Sequence, residues 1–138
     1  MSMLEDAILM ATKAHLGQKA EEGGPYILHP LRVMLAATSE FDRTVAVLHD
    51  TIEDTPTTYQ DIGEEVDWDV ADAVWALTRP PDESYEDFIQ RAKLNEAARR
   101  VKILDIHDNL NRPPVRNAVR QAKLRAKYLA ALAELRVP

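Results

Sequence analysis

The chain contains no cysteine, which excludes disulfide bridges and thiolate chemistry and leaves histidine, aspartate and glutamate as the side chains able to hold a metal ion. Aromatic residues are scarce, at 6% of 138 positions, while alanine and leucine are frequent, a balance that favours helix over a β sandwich. No segment alternates apolar and polar residues as a half-buried strand would. No apolar stretch approaches the roughly 20 residues that cross a bilayer, so no membrane partner is expected. The segment Met1 to Lys13 carries Glu5 and Asp6 and lacks a basic start followed by a long apolar run, so it does not read as a signal peptide. The expected compartment is the cytoplasm. Basic residues are in deficit, 17 against 23 acidic ones, and the net charge of −6 disfavours nucleic acid as a general partner. A small anionic ligand stays compatible with that charge, because a divalent cation and a few local bases can reverse the potential inside one pocket.

What the chain does have is the bulk of a globular domain, 46% hydrophobic and 29% charged, long enough to bury a core. There is no internal repeat and no linker, so residues 1–138 read as one all-α domain, a single compact helical bundle. A first helix is expected from about Ser2 to Lys19, followed by the loop Glu21-Glu22-Gly23-Gly24-Pro25. Pro30 suits the first turn of a second helix, Leu31 to Thr38, and Asp42 is a candidate N-cap for a third. Thr58 with Asp61 reads as a capping pair for a short fourth, and Asp67 or Asp69 starts a fifth that Arg79-Pro80-Pro81 stops. Ser84 opens a sixth helix to about Leu94, Asn95 a seventh to about Leu110, and a last helix is expected over about 115–135. Its apolar stripe is read as Val115, Val119, Ala122, Ala126, Leu129 and Ala133, with Arg116, Arg120, Lys123 and Lys127 as a solvated basic face.

The segment His49-Asp50-Thr51-Ile52-Glu53-Asp54 stands apart from this pattern. On a continuous helix His49 and Glu53 are one turn apart, as are Asp50 and Asp54, and His49 shares the apolar stripe of Val45, Leu48 and Ile52. An inward histidine and carboxylate need a metal, a charge partner or a reaction to compensate their burial. Three distant groups could join them. His29 precedes Pro30, whose ring restricts its backbone, and Asp105 sits among Ile103, Leu104 and Ile106, one turn before Asn109. Alone, each has an ordinary reading, a partly exposed histidine or a surface or capping aspartate. Together, His29, His49, Asp50 and Asp105 make a set of two imidazoles and two carboxylates that suits Mn²⁺, Fe²⁺, Co²⁺ or Zn²⁺. Around an octahedral ion they leave two positions for water or substrate.

The order Ala14-His15, Gly17-Gln18, Pro25-Tyr26-Ile27, His29-Pro30, His49 to Thr55, and Val101-Lys102-Ile103-Leu104-Asp105 with Asn109 resembles the hydrolase domain of RelA/SpoT-type proteins, within the HD superfamily of metal-dependent phosphohydrolases. The likeness runs over about residues 14–109, and the length resembles that of stand-alone small alarmone hydrolases. It implies an all-helical HD fold with one Mn²⁺ held by His29, His49, Asp50 and Asp105, and with Glu53 and Asp54 handling the attacking water. The implied reaction removes pyrophosphate from the 3′ position of (p)ppGpp. Asn109, Lys102, Arg32 and Tyr26 are candidates for contacts with this small nucleotide substrate. Two departures mark the chain. An Arg-Lys pair that the family often places near the base is Ala20-Glu21 here, and the frequent D-R-L-H-N motif is Asp105-Ile106-His107-Asp108-Asn109. His107 is therefore expected at the surface or in packing, and His15 in a supporting role. The base departure keeps open a different HD-type nucleotide phosphatase acting on a monophosphate or an NADPH-like substrate, and beyond enzymes a silent metal- or nucleotide-binding sensor. The apolar terminal helix suggests a homodimer.

Overall fold

Most helices of this chain begin where a short polar side chain can take up a free backbone N–H. The computed structural model describes residues 2–138. Among the described residues there are nine helices: α1 (Met3–Ala14), α2 (Leu28–Ala36), α3 (Glu40–Leu48), α4 (Thr51–Asp54), α5 (Tyr59–Glu65), α6 (Trp68–Ala76), α7 (Tyr85–Lys93), α8 (Glu96–Asn111) and α9 (Ala118–Leu135). Ser2, Ser39, Thr58, Asp67, Ser84, Asn95 and Asn117 each accept a hydrogen bond from the backbone three residues on. Such a cap contributes about 1 kcal/mol. At Ser2 and Thr58 the bond is reciprocated by Glu5 and Asp61.

Several boundaries differ from the sequence reading. α1 stops at Ala14, five residues early, because Gly17 turns the chain at φ 81°, a left-handed conformation that suits glycine. α2 starts at Leu28, so Pro30 is its third residue, still within the turn whose N–H groups lack helical partners. Ser39, not Asp42, caps α3; Asp42 is buried and pairs with Arg100 of α8.

The main correction concerns the polar segment, which is not one helix. α3 ends at Leu48, and His49 and Asp50 form a turn before the single turn of α4. Two side chains claim the carbonyls there. Thr51 Oγ1 donates to Leu48 O at 2.7 Å, and His49 Nδ1 lies 2.6 Å from Ala46 O. Local bonds of this kind compete with the helical ladder. The bend swings His49 and Asp50 inward while Glu53 and Asp54 stay on the exposed rim.

The core forms in two clusters. The larger takes Ala7 and Ala11 of α1, Val33 of α2, Val45 to Leu48 of α3, Ile62 of α5, Val70 and Val74 of α6, and Ala98 and Val101 of α8. The smaller joins Phe88 and Ile89 of α7, Ile106 of α8, and Leu132 and Leu135 of α9. α8 belongs to both, and Lys102 and Asp105 lie on the stretch between its two apolar ends. The stripe expected to bury α9 is also corrected. Val119, Ala122, Ala126, Leu129 and Ala133 are exposed, and the helix packs through Tyr128, Ala131, Leu132 and Leu135.

Candidate functional site

Four polar side chains from three places in the sequence meet where α2, the α3–α4 turn and α8 come together. His29 Nε2 is 2.8 Å from Asp105 Oδ1, and His49 Nε2 is 3.2 Å from the same oxygen. Asp50 Oδ2 lies 3.1 Å from His49 Nε2 and 3.9 Å from His29 Nε2. His29, His49 and Asp105 are all buried, and each offers one ligand atom within 4.8 Å of the other two, so this group could hold a metal ion. Both histidines aim Nε2 at the cluster, because their Nδ1 atoms are engaged elsewhere, His49 with Ala46 O and His29 with Asp108 Oδ2 at 2.6 Å.

Charge balance explains how the cluster tolerates burial. Burial opposes ionisation of Asp105, but the Lys102 ammonium at 2.8 Å and the neighbouring histidines hold its carboxyl well below the usual range. Burial likewise opposes the imidazolium of His49, yet the Asp50 and Asp105 carboxylates raise its pKa well above that of an ordinary histidine. Burial also works against the Asp50 carboxylate, and the His49 charge overcomes it and lowers its pKa. Asp54 faces the opposite balance. Burial and the charges of Asp50 and Glu53 push its carboxyl up to about 6.

The cluster opens into a cleft of about 310 Å³ lined by Tyr26, Glu53, Asp54, Asn109 and four basic side chains, Arg79, Lys102, Arg112 and Lys127. Tyr26 donates its hydroxyl to Asp50 Oδ2 at 2.5 Å, and Asn109 Nδ2 reaches toward Asp105 Oδ1 at 3.4 Å. Glu53 accepts the Arg79 backbone N–H at 2.7 Å, which fixes its carboxylate on the rim. Arg32, expected to touch substrate, does not line the cleft: its guanidinium is bidentate on Asp108, at 2.8 and 3.1 Å. His15 is buried behind Tyr26, with ring centroids 5.2 Å apart and Nδ1 on Gln18, whereas His107 is exposed beside Arg136.

Sequence reasoning missed Arg79, Arg112, Lys127, Tyr85 and Tyr128 as cleft residues. Lys127 lies on the stripe read as solvated; in the structure its ammonium sits 4.3 Å from the centroid of the Tyr85 ring. Arg79 looked like part of a helix stop. Beyond Asn109, Arg112 and Tyr128 the cleft adjoins a second cavity of about 660 Å³, into which the Glu21 and Glu22 loop faces. There Glu22 pairs with Arg112 and Glu21 with Arg120, so the acidic residue at the departing position is tied to α9.

No family model matches the chain. The bifunctional (p)ppGpp synthase/hydrolase SpoT of Escherichia coli (strain K12) is 41% identical over 80 residues, covering 55% of this chain and 11% of the relative. The guanosine-3′,5′-bis(diphosphate) 3′-pyrophosphohydrolase of Aquifex aeolicus (strain VF5) is 41% identical over 80 residues, 55% of this chain and 12% of that protein. The chain thus spans only about a ninth of the length of these relatives. The solved structure of a metazoan ortholog of SpoT, described as hydrolysing ppGpp, superposes with a TM-score of 0.82 at 21% identity, covering 99% of this chain and 86% of the other. Over 55% of its length the chain is thus similar in sequence to (p)ppGpp synthase/hydrolases and pyrophosphohydrolases of the SpoT group, and over almost all of it the chain shares the all-helical fold of the metazoan SpoT ortholog.

Proposed function

We propose that this chain is a cytoplasmic, Mn²⁺-dependent phosphohydrolase that removes pyrophosphate from the 3′ position of a (p)ppGpp-type alarmone. The observation that carries the reading is the convergence of His29, His49 and Asp105 on one point, with Asp50 beside them, at the base of a cleft ringed by cations. His29, His49, Asp50 and Asp105 would hold the ion. When bound, it lowers the pKa of a coordinated water and polarises a phosphorus–oxygen bond. Mixed imidazole and carboxylate donors suit a transition ion such as Mn²⁺ better than an all-oxygen magnesium site.

The remaining groups divide the work. Glu53 and Asp54 take the proton of the attacking water, and a carboxyl near 6 is well placed for this at neutral pH. Arg79 and Lys127 face the cleft and neutralise the pyrophosphoryl oxygens, while Tyr26 steadies Asp50 and Asn109 and Lys102 steady Asp105. The bond between phosphorus and the ribose 3′ oxygen breaks, the water oxygen joins phosphorus, and the 3′ oxygen leaves protonated. The similar proteins of Escherichia coli and Aquifex aeolicus, a (p)ppGpp synthase/hydrolase and a 3′-pyrophosphohydrolase, support this reading.

One observation favours a second reading of the substrate. The wall expected to meet a guanine carries Glu21 and Glu22, both engaged by arginines, in place of a free stacking cation. A different nucleotide with a phosphate on its ribose, NADPH included, is the alternative. A panel of ppGpp, pppGpp, their adenine counterparts, NADPH and nucleoside monophosphates, assayed with Mn²⁺, separates the two. The account expects pyrophosphate release from the tetra- and pentaphosphates, and a preference for NADPH or monophosphates would overturn the alarmone assignment. Glu53→Gln should bind metal normally and lose roughly 10²–10⁴-fold in turnover; full activity in that variant removes Glu53 from the mechanism.

A further inference from the structure

His29 lies between two carboxylates. Asp105 Oδ1 is 2.8 Å from its Nε2, and Asp108 Oδ2 is 2.6 Å from its Nδ1. A neutral imidazole has one ring proton, and the carboxylate that accepts it decides which nitrogen keeps the lone pair a metal needs. Asp108 is three residues after Asp105 on α8, so one helix face presents both competitors. Arg32, three residues after His29 on α2, grips Asp108 with Nε on Oδ1 at 2.8 Å and Nη2 on Oδ2 at 3.1 Å. Asp108 thus accepts from two partners, and its contact with Nδ1 is the shorter of the two His29 makes.

We propose that Asp108, clamped by Arg32, is a positioning residue that holds His29 as the Nδ1–H tautomer and presents Nε2 to the metal ion. The inference rests on the reading of His29 as a ligand. A carboxylate behind a ligating histidine fixes the ring and raises its basicity. The clamp matters because the two guanidinium bonds hold both Asp108 oxygens and remove the carboxylate's rotational freedom, so that Oδ2 stays on His29 Nδ1. His49 is held by a different device. Its Nδ1 meets the neutral carbonyl of Ala46 at 2.6 Å, so the two histidines are oriented by unlike acceptors. The pair also pins α2 to α8, the two elements that bring His29 and Asp105 together.

The test uses the full chain with Mn²⁺ as the probe and a second readout that needs no metal. Isothermal titration should show Asp108→Ala weakening Mn²⁺ binding roughly 10–100-fold, with Asp108→Asn, which keeps an acceptor, and Arg32→Met weakening it less. In metal-free protein, titrated until the ring carries a single proton, ¹⁵N-resolved spectra of the ring nitrogens should place the His29 proton on Nδ1. In Asp108→Ala it should move to Nε2, where Asp105 is the acceptor left. Affinity within twofold of wild type together with an unmoved proton would overturn the proposal. A wild-type protein that binds no Mn²⁺ sinks the metal reading, while the tautomer result still decides whether Asp108 sets the ring.

Discussion

His49 is the residue where geometry and charge bear most directly on ligand binding. Its Nδ1 is committed to Ala46 O, so metal and proton compete for a single atom, Nε2. Burial disfavours that proton, and Asp50 and Asp105 outweigh burial, so in the metal-free protein the imidazolium persists above the pH at which a histidine ordinarily loses it. The sign follows: a raised pKa means the proton must be displaced at neutral pH, so Mn²⁺ affinity rises with pH and each ion bound releases protons. Titrations in buffers of different ionisation enthalpy, one at about pH 6.5 and one at a clearly more alkaline pH, check this. Equal affinities at both, with no proton release, would contradict the arrangement. At this scale the sequence was most legible where a residue broke a local rule. A histidine and an aspartate behind Val45 to Leu48 signalled burial that needed a partner, and Asp105, ordinary when taken alone, became legible only beside them. The pairing of Arg32 with Asp108 was not legible, because the two lie 76 positions apart. No local pattern could reveal that.

At the scale of elements, capping chemistry was readable and helix faces less so. Thr58, Ser84 and Asn95 cap where expected, since a hydroxyl or amide and the N–H three residues on are local facts. The bend at His49 and Asp50 was not legible, because helical spacing of charges fits an unbroken helix equally well. α9 fails for another reason. Val119, Ala122, Ala126, Leu129 and Ala133 make a regular apolar stripe, yet α7 and α8 cover the face bearing Tyr128, Ala131, Leu132 and Leu135. With two apolar faces on one alanine-rich helix, periodicity alone could not choose. Chemical denaturation separates the faces. Leu132→Ala, which empties a buried position of the smaller cluster, should cost about 2–5 kcal/mol. Leu129→Ser, at a position 46% exposed, should stay within about 0.5 kcal/mol. The reverse order would mean that α9 is docked through its other face.

For the whole molecule, the fold solves an electrostatic problem that composition hides. A chain of net charge −6 gathers Arg79, Lys102, Arg112 and Lys127 around one cleft. They come from the segment after α6, from α8, from its end and from α9, so the positive rim exists only once both core clusters have formed and α9 is in place. That is why the cationic rim was invisible along the sequence while the group of His29, His49 and Asp105 that could hold a metal ion was not. The exposed stripe of Val119, Ala122, Ala126, Leu129 and Ala133 on α9 lies outside this arrangement. The central claim is that the buried cluster and its cationic rim hydrolyse a 3′-pyrophosphate. Its most direct test is to incubate the purified chain with ppGpp and Mn²⁺, with and without EDTA, and resolve the products by anion exchange. The account predicts GDP and pyrophosphate in equal amounts with Mn²⁺ and none with EDTA; intact ppGpp in the presence of protein shown to have bound Mn²⁺ would contradict it.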